Sequence, residues 1–147
     1  MSLKTQISDD LKKAMIEKDA ARRDAIRVIQ AAIKQVEVDS RKDLDDAAVM
    51  DVLQAEAKKR REAITNFEQA GRTESADSER FELTLIETYL PKQLTREEIE
   101  AEVKAAIAQT GVTSSKEMGK LMGVLMPKVK GRADGKLVNE IVRALLG

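Results

Sequence analysis

Apolar residues recur at steps of three and four along nearly the whole chain, and this spacing constrains the fold more than any other feature. Near the start of the chain the spacing is followed by Leu3, Ile7, Leu11 and Ala14. Residues at this spacing share one face of a helix, because one helical turn takes 3.6 residues. No segment shows the alternating apolar and polar residues of a β-strand more clearly than this helical spacing. The chain is therefore predicted to be all-α, with about seven helices.

Residues that favour helix ends divide this pattern. The predicted N-caps are Asp19, Asp45 or Asp46, Thr95, Ser114 and Asp134. Their short side chains accept hydrogen bonds from the free amides of a first turn. The threonine cap and the serine cap, at positions 95 and 114, are each followed three residues later by a glutamate, which predicts a capping box at both.

Pro91 is expected to end the fourth helix, since proline lacks the amide that a continuing helix needs. The residues around it are taken as a boundary between two subdomains. Residues 1–92 are predicted to form an N-terminal subdomain of about four helices, and residues 93–147 a small C-terminal subdomain of three.

The chain contains no cysteine, no histidine and no tryptophan. The chain therefore has no thiol nucleophile, no histidine base and none of the usual zinc ligands of the cysteine and histidine type. Clustered carboxylates, such as those at 43–46 and 97–102, are interpreted as charges that complement helix N-termini. We expect no catalytic residue, no metal site and no cofactor.

The first twenty residues carry several charges and no continuous apolar run. No stretch of the chain approaches the roughly 20 apolar residues that span a bilayer. We therefore expect no membrane partner and a cytoplasmic location.

Acidic and basic residues are equal in number, 26 of each, but they are unevenly placed. Positions 112–147 hold seven basic and three acidic residues. The candidate RNA-binding residues are Lys128, Lys130, Gly131, Arg132, Gly135 and Lys136. Their cations suit backbone phosphates. The alternative is a merely solvated junction, with Gly131 ending one helix and Asp134 capping the next. This alternative explains the glycine and the aspartate but not the four cations around them.

A second basic run, Lys58 to Arg61, is interpreted as a solvated helix face, because glutamates flank it. Arg60 differs, since it falls within the apolar stripe of its helix. Two alternatives stay open for Arg60. It either buries its stem and pairs with a carboxylate, or contacts a partner.

The C-terminal motif runs Glu117-Met-Gly-Lys-Leu-Met-Gly-Val-Leu-Met-Pro-Lys-Val-Lys-Gly-Arg-Ala-Asp-Gly-Lys-Leu-Val-Asn-Glu-Ile-Val. It resembles the signature of the YqeY-like family. The upstream motifs Lys59-Arg-Arg-Glu-Ala-Ile64, Ala70-Gly-Arg72 and Tyr89-Leu-Pro91 agree with it. This family is similar to the tail domain of the B subunit of the glutamine-dependent aminoacyl-tRNA amidotransferase.

The resemblance implies a non-catalytic accessory protein that binds tRNA or another folded RNA through positions 128–136. One alternative is a protein–protein adaptor for an amidotransferase or an aminoacyl-tRNA synthetase. The other is a carbon–nitrogen ligase with glutamine as amide donor, although the chain shows no site for glutamine cleavage or ATP-dependent activation.

Overall fold

The computed structural model describes residues 2–146, which form seven α-helices and one short 3-10 turn, with no strand among them. The helices are α1 (Leu3–Ile16), α2 (Ala20–Ser40), α3 (Asp46–Gln69), α4 (Thr73–Glu87), α5 (Arg96–Thr110), α6 (Met118–Val129) and α7 (Gly135–Leu146). The 3-10 turn, Ser115–Glu117, directly precedes α6. The prediction of an all-α fold with about seven helices is confirmed.

Backbone contacts divide the chain into two compact units, one ending at Leu90 and the other beginning at Pro91. The first unit contains α1 to α4 and the second contains α5 to α7. That each unit is a separately folding subdomain, with the limits 1–92 and 93–147, stays a prediction.

The core of the first unit is built from the stripes that the spacing predicted. Its fully buried members include Ile7, Ala14, Ile26, Val49, Leu53 and Ile86. Each helix contributes its apolar face to this core. The apolar side chains are thereby removed from water while the charged faces stay exposed. The fourth helix ends at Glu87, three residues earlier than expected, and Leu90 still packs into this core.

The second unit has its own core, formed by Ile99, Val103, Leu121, Leu125, Val138 and Ile141 among others. The spacing predicts that Leu137, Val138, Ile141 and Leu145 form the inward face of α7, and for Leu145 this prediction is wrong. Leu145 is 39% exposed, whereas Val142 is fully buried. Helical geometry places Leu145 on the same face as Val138 and Ile141, so its exposure follows from its position in the last turn of α7 and not from the spacing.

Most of the predicted helix ends are confirmed. The side chains of Asp19, Asp45 and Thr95 accept hydrogen bonds from the amides three residues on. Gly71 and Gly111 follow α3 and α5 with positive φ angles of 72° and 71°. That left-handed conformation is the one in which glycine is favoured at a helix end.

The capping box at Ser114 is wrong. The Ser114 hydroxyl accepts no capping hydrogen bond from the backbone. The backbone carbonyl of Ser114 accepts the Glu117 amide at 3.1 Å instead. That bond closes a 3-10 turn, and the Glu117 carboxylate accepts from the Thr113 hydroxyl at 3.4 Å. Because the turn already satisfies the Glu117 amide, no donor is left for the serine side chain.

Candidate RNA interface

The basic segment lies in the tight connection between α6 and α7. The Lys130 amide donates to the carbonyl of Met126 at 2.8 Å, which closes the last turn of α6. The Arg132 amide then donates to the carbonyl of Val129 at 2.9 Å. Gly131, between them, has a φ angle of 77°, which a residue with a side chain adopts only at a cost. The loop therefore has one defined backbone path.

Two residues of the segment 91–94 donate hydrogen bonds to backbone carbonyls of this loop. The Leu94 amide donates to the carbonyl of Arg132 at 2.6 Å. The Gln93 side-chain amide donates to the carbonyls of Gly131 at 3.0 Å and of Pro91 at 3.2 Å. Two successive carbonyls of the basic loop are thus fixed by a segment that lies far away in sequence.

The four cationic side chains of the predicted site all belong to exposed residues. They are Lys128, Lys130, Arg132 and Lys136. Within residues 2–146, every ion pair involves other residues, so no carboxylate neutralises these four. Val129 is buried in the core of the second unit, and Ala133 is half-buried against it. Along this segment, residues that pack into the core therefore alternate with exposed cations. The loop therefore presents uncompensated positive charge from a fixed backbone.

The amino end of α7 is already capped. Asp134 accepts the Lys136 amide on Oδ1 at 3.2 Å, and its carbonyl accepts the Val138 amide at 3.0 Å. Asp134 is thus the predicted cap. Its carboxylate also supplies the negative charge that a helix N-terminus favours. A phosphate at this loop would accordingly meet lysine and arginine side chains rather than free helix amides.

Gly135, the first residue of α7, is exposed, and a Cβ atom added to it would meet no atom within 4 Å. Neither its φ angle nor crowding requires a glycine here. The open space above it leaves room for a ligand to approach the backbone.

Arg60 is 7% exposed, and its guanidinium pairs with two glutamates of the first unit. Nη1 donates to Glu56 Oε2 at 2.7 Å and to the Glu56 carbonyl at 3.1 Å, while Nε donates to Glu82 Oε2 at 3.1 Å. Of the two alternatives for Arg60, the structure shows the ion pair. Such burial leaves little of the side chain for contact with another molecule.

Two further polar contacts in the first unit were not foreseen. Lys4 donates to Glu37 Oε2 at 2.7 Å, and the same oxygen accepts the Leu44 amide at 2.9 Å. Both bonds, first the one from Lys4, lower the pKa of Glu37, and the bond to Glu37 raises the pKa of Lys4. The Tyr89 hydroxyl donates to Asp10, and burial together with this bond raises the pKa of Tyr89.

Neither a cluster of metal ligands nor a membrane-spanning helix occurs within residues 2–146. No group of three carboxylates is close enough to hold a metal ion in this part of the chain. None of the helices described has both the length and the apolar character that crossing a bilayer requires.

Comparison with known proteins gives a consistent result. The sequence model of a family described as "Yqey-like protein" matches residues 4–146. A protein of Eremothecium gossypii named "Altered inheritance of mitochondria protein 41, mitochondrial" is 40% identical over 85 residues, covering 57% of this chain and 46% of that protein. Its namesake in Kluyveromyces lactis is 37% identical over 101 residues, covering 66% and 54%.

A third relative with the same name, from Pyrenophora tritici-repentis, is 28% identical over 144 residues, covering 97% of this chain and 80% of that protein. The matches to the first curated relatives span only about half of those proteins' length. What these proteins do as wholes is therefore not carried over to this chain.

The predicted cytoplasmic location is wrong by this comparison. All of the relatives are named as mitochondrial proteins, which points to mitochondria rather than the cytoplasm. The expectation rested on the lack of an apolar segment. Hydropathy does not distinguish one aqueous compartment from another.

Proposed function

Since the chain belongs to the YqeY-like family, as its C-terminal motif predicted, we propose that it is a non-catalytic accessory protein that binds folded RNA, with tRNA as the first candidate. The observation that carries the proposal is a set of four exposed cations, in and beside the anchored loop between α6 and α7, that form no ion pair within residues 2–146. The resemblance to the amidotransferase tail supports tRNA as the RNA to test.

Binding would proceed through the phosphate backbone. Each lysine or arginine that neutralises a phosphate releases condensed counterions, so several such contacts give affinity without reading sequence. A backbone fixed by Gln93 and Leu94 reduces the conformational entropy lost when the cations engage. The loop residues assigned to the interface are Lys128, Lys130, Gly131, Arg132, Gly135 and Lys136.

The aromatic side chains favour folded RNA over single strands. Single-strand binding relies on exposed aromatic rings on which bases stack. Only three aromatic residues exist in the chain. Tyr89 is buried, and the Phe67 ring lies under the Arg72 guanidinium, 5.7 Å from ring centroid to Cζ. Phe81, 46% exposed, is the one ring left with a substantial free surface.

The proposal includes the finer division of the chain. Residues 1–92 form one subdomain of four helices, and residues 93–147 form a second of three that carries the RNA contacts. The separate apolar cores of the two compact units support this division.

The test compares tRNA affinity at several salt concentrations for wild type and for Lys128→Gln/Lys130→Gln/Arg132→Gln. A matched control, Lys12→Gln/Lys13→Gln/Arg27→Gln, removes two lysines and one arginine from exposed positions on α1 and α2. If each loop cation contacts one phosphate, the loop variant binds more weakly. The slope of log affinity against log salt also shrinks by about 1 per contact removed.

The control variant should keep most of the wild-type affinity and slope, and circular dichroism should show both variants to be as helical as wild type. Equal losses in the two variants would mean that only total charge matters. If wild type ignores tRNA at low salt, the RNA proposal fails. Binding to an amidotransferase or synthetase that persists in high salt would then favour the adaptor. Glutamine-dependent product formation by the purified chain would favour the ligase.

A further inference from the structure

An open groove lies between α2 and α3 of the first unit. It has a volume of about 490 Å³, and its floor is made of small and branched apolar side chains. They are Ala32 and Val36 on α2, with Ala48, Val52 and Ala55 on α3. Val36 is 38% exposed, and Ala55 is also an exposed residue. Apolar surface left in water at a helix pair is the kind that another helix covers.

Three charged residues line this groove. Two of them, Asp51 and Lys59, are placed symmetrically about Ala55, and the third, Glu56, is held by Arg60. Asp51 lies four residues before Ala55 and Lys59 lies four residues after it, and both line the groove. At a rise of 1.5 Å per residue, the two charges are about 12 Å apart along the helix. When two copies of such a helix cross antiparallel on a two-fold axis through Ala55, each aspartate faces the lysine of the other copy.

We propose that this groove is the seat of a homodimer, in which α3 packs antiparallel against α3 of a second copy. Ala55 meets its own equivalent on the axis, and two identical pairs form between Asp51 of one copy and Lys59 of the other. Alanine at the crossing point permits an interaxial distance near 8 Å, the lower end of the usual range. The stem of Lys58 then covers Val52 of the second copy.

Both rim charges are available for this pairing. Asp51 forms no ion pair within the described residues, and the side chain of Lys59 is 73% exposed. The nearest carboxylate oxygen to Lys59 is Glu56 Oε1, at 3.7 Å, whereas the other oxygen of Glu56 holds Arg60 at 2.7 Å. The formal net charge of the chain is zero, so two copies approach without overall repulsion.

Sedimentation velocity over a range of concentrations tests the dimer on the full chain. Wild type should shift from monomer to dimer as concentration rises. Ala55→Arg places a long charged side chain on the axis and should leave only monomer. Ala108→Arg, the same change at an exposed alanine of α5, should leave the dimer intact.

A charge swap tests the orientation of the two helices. Asp51→Lys puts lysine opposite lysine and should raise the dimer dissociation constant by about tenfold or more. Asp51→Lys/Lys59→Asp restores opposite charges and should recover the wild-type constant, which a merely structural effect of Asp51→Lys would not do. Circular dichroism confirms that each variant is folded.

Monomer at every concentration of wild type overturns the proposal, and the groove would then suit a helix of a different protein. A dimer that survives Ala55→Arg, or a charge swap that fails to recover the affinity, overturns the proposed α3 pairing.

Discussion

Gln93 donates its side-chain amide to the carbonyl of Gly131, 38 residues further along the chain, with an N···O distance of 3.0 Å. Gly131 is the left-handed residue on which the basic loop turns. A neutral residue outside the loop thus fixes the backbone from which the cations project. Charge and geometry at this site can therefore be changed separately.

Gln93→Leu should weaken tRNA binding without removing any positive charge. Leucine has a similar size but cannot donate to the carbonyls of Gly131 and Pro91. The loop therefore becomes more flexible, and ordering it on binding costs more conformational entropy. We expect a lower affinity with an unchanged salt slope, because the number of phosphate contacts stays the same. Titrations of labelled tRNA at three or more salt concentrations measure both quantities. A slope as shallow as that of the triple lysine–arginine variant would contradict this role.

Asp134→Ala should destabilise the second unit by about 1 kcal/mol, the usual cost of a lost N-cap. The reason is that the Lys136 amide loses its acceptor at the first turn of α7. Urea denaturation followed by circular dichroism gives the free energy of unfolding. Asp134→Asn keeps an acceptor oxygen and serves as the control. If both variants unfold like wild type, the hydrogen bond contributes nothing to stability.

Arg60→Met should destabilise the first unit by about 2 kcal/mol. The methionine keeps the apolar stem but removes the cation shared by Glu56 and Glu82, and Glu56 then keeps only its longer contact with Lys59 at 3.7 Å. Loss of one partner from a buried ion pair costs about 3–5 kcal/mol, and partial exposure of the two glutamates reduces that figure.

Arg61→Met is the matched control, since Arg61 forms a longer and more exposed pair with Glu87 at 3.6 Å. Such pairs contribute about 0–1 kcal/mol. Adding Glu82→Gln to Arg60→Met should recover part of the loss, because it removes one of the two carboxylate charges that Arg60 holds in wild type. Equal effects of Arg60→Met and Arg61→Met on the denaturation midpoint would argue against a special contribution from the buried pair.

Features that depend on neighbouring residues could be predicted from the sequence. The caps at Asp45 and Thr95 involve side chains and amides three residues apart, and the apolar stripes follow helical geometry. Ser114 had the same sequence pattern but failed, because a 3-10 turn satisfied the Glu117 amide first.

Contacts between distant positions were not predictable in this way. Arg60 meets Glu82 across 22 residues, and Tyr89 meets Asp10 across 79. No local pattern encodes which helix faces which. For the same reason the candidate cations of the basic loop could be named from the sequence, whereas Gln93, which holds the loop, could not.

The Lys4–Glu37 contact makes the stability of the first unit depend on pH in the acid range. The hydrogen bond from Lys4, followed by the one from the Leu44 amide, lowers the pKa of Glu37 from its ordinary value of 4.5. A carboxyl with a lowered pKa in the folded state stabilises the fold above its unfolded pKa. That stabilisation is lost as pH falls through the folded value.

Glu37→Gln should therefore be less stable than wild type at neutral pH, and the difference should shrink as pH falls below 4.5. Glutamine keeps an oxygen that accepts from the Leu44 amide, so the variant removes mainly the charge. Urea denaturation midpoints at a series of pH values measure the difference. Lys4→Gln is the companion variant: because the ammonium group is the largest cause of the shift, the difference should narrow in the same direction. A gap between wild type and Glu37→Gln that stays constant from neutral to strongly acid pH would show that Glu37 titrates alike in the folded and unfolded states.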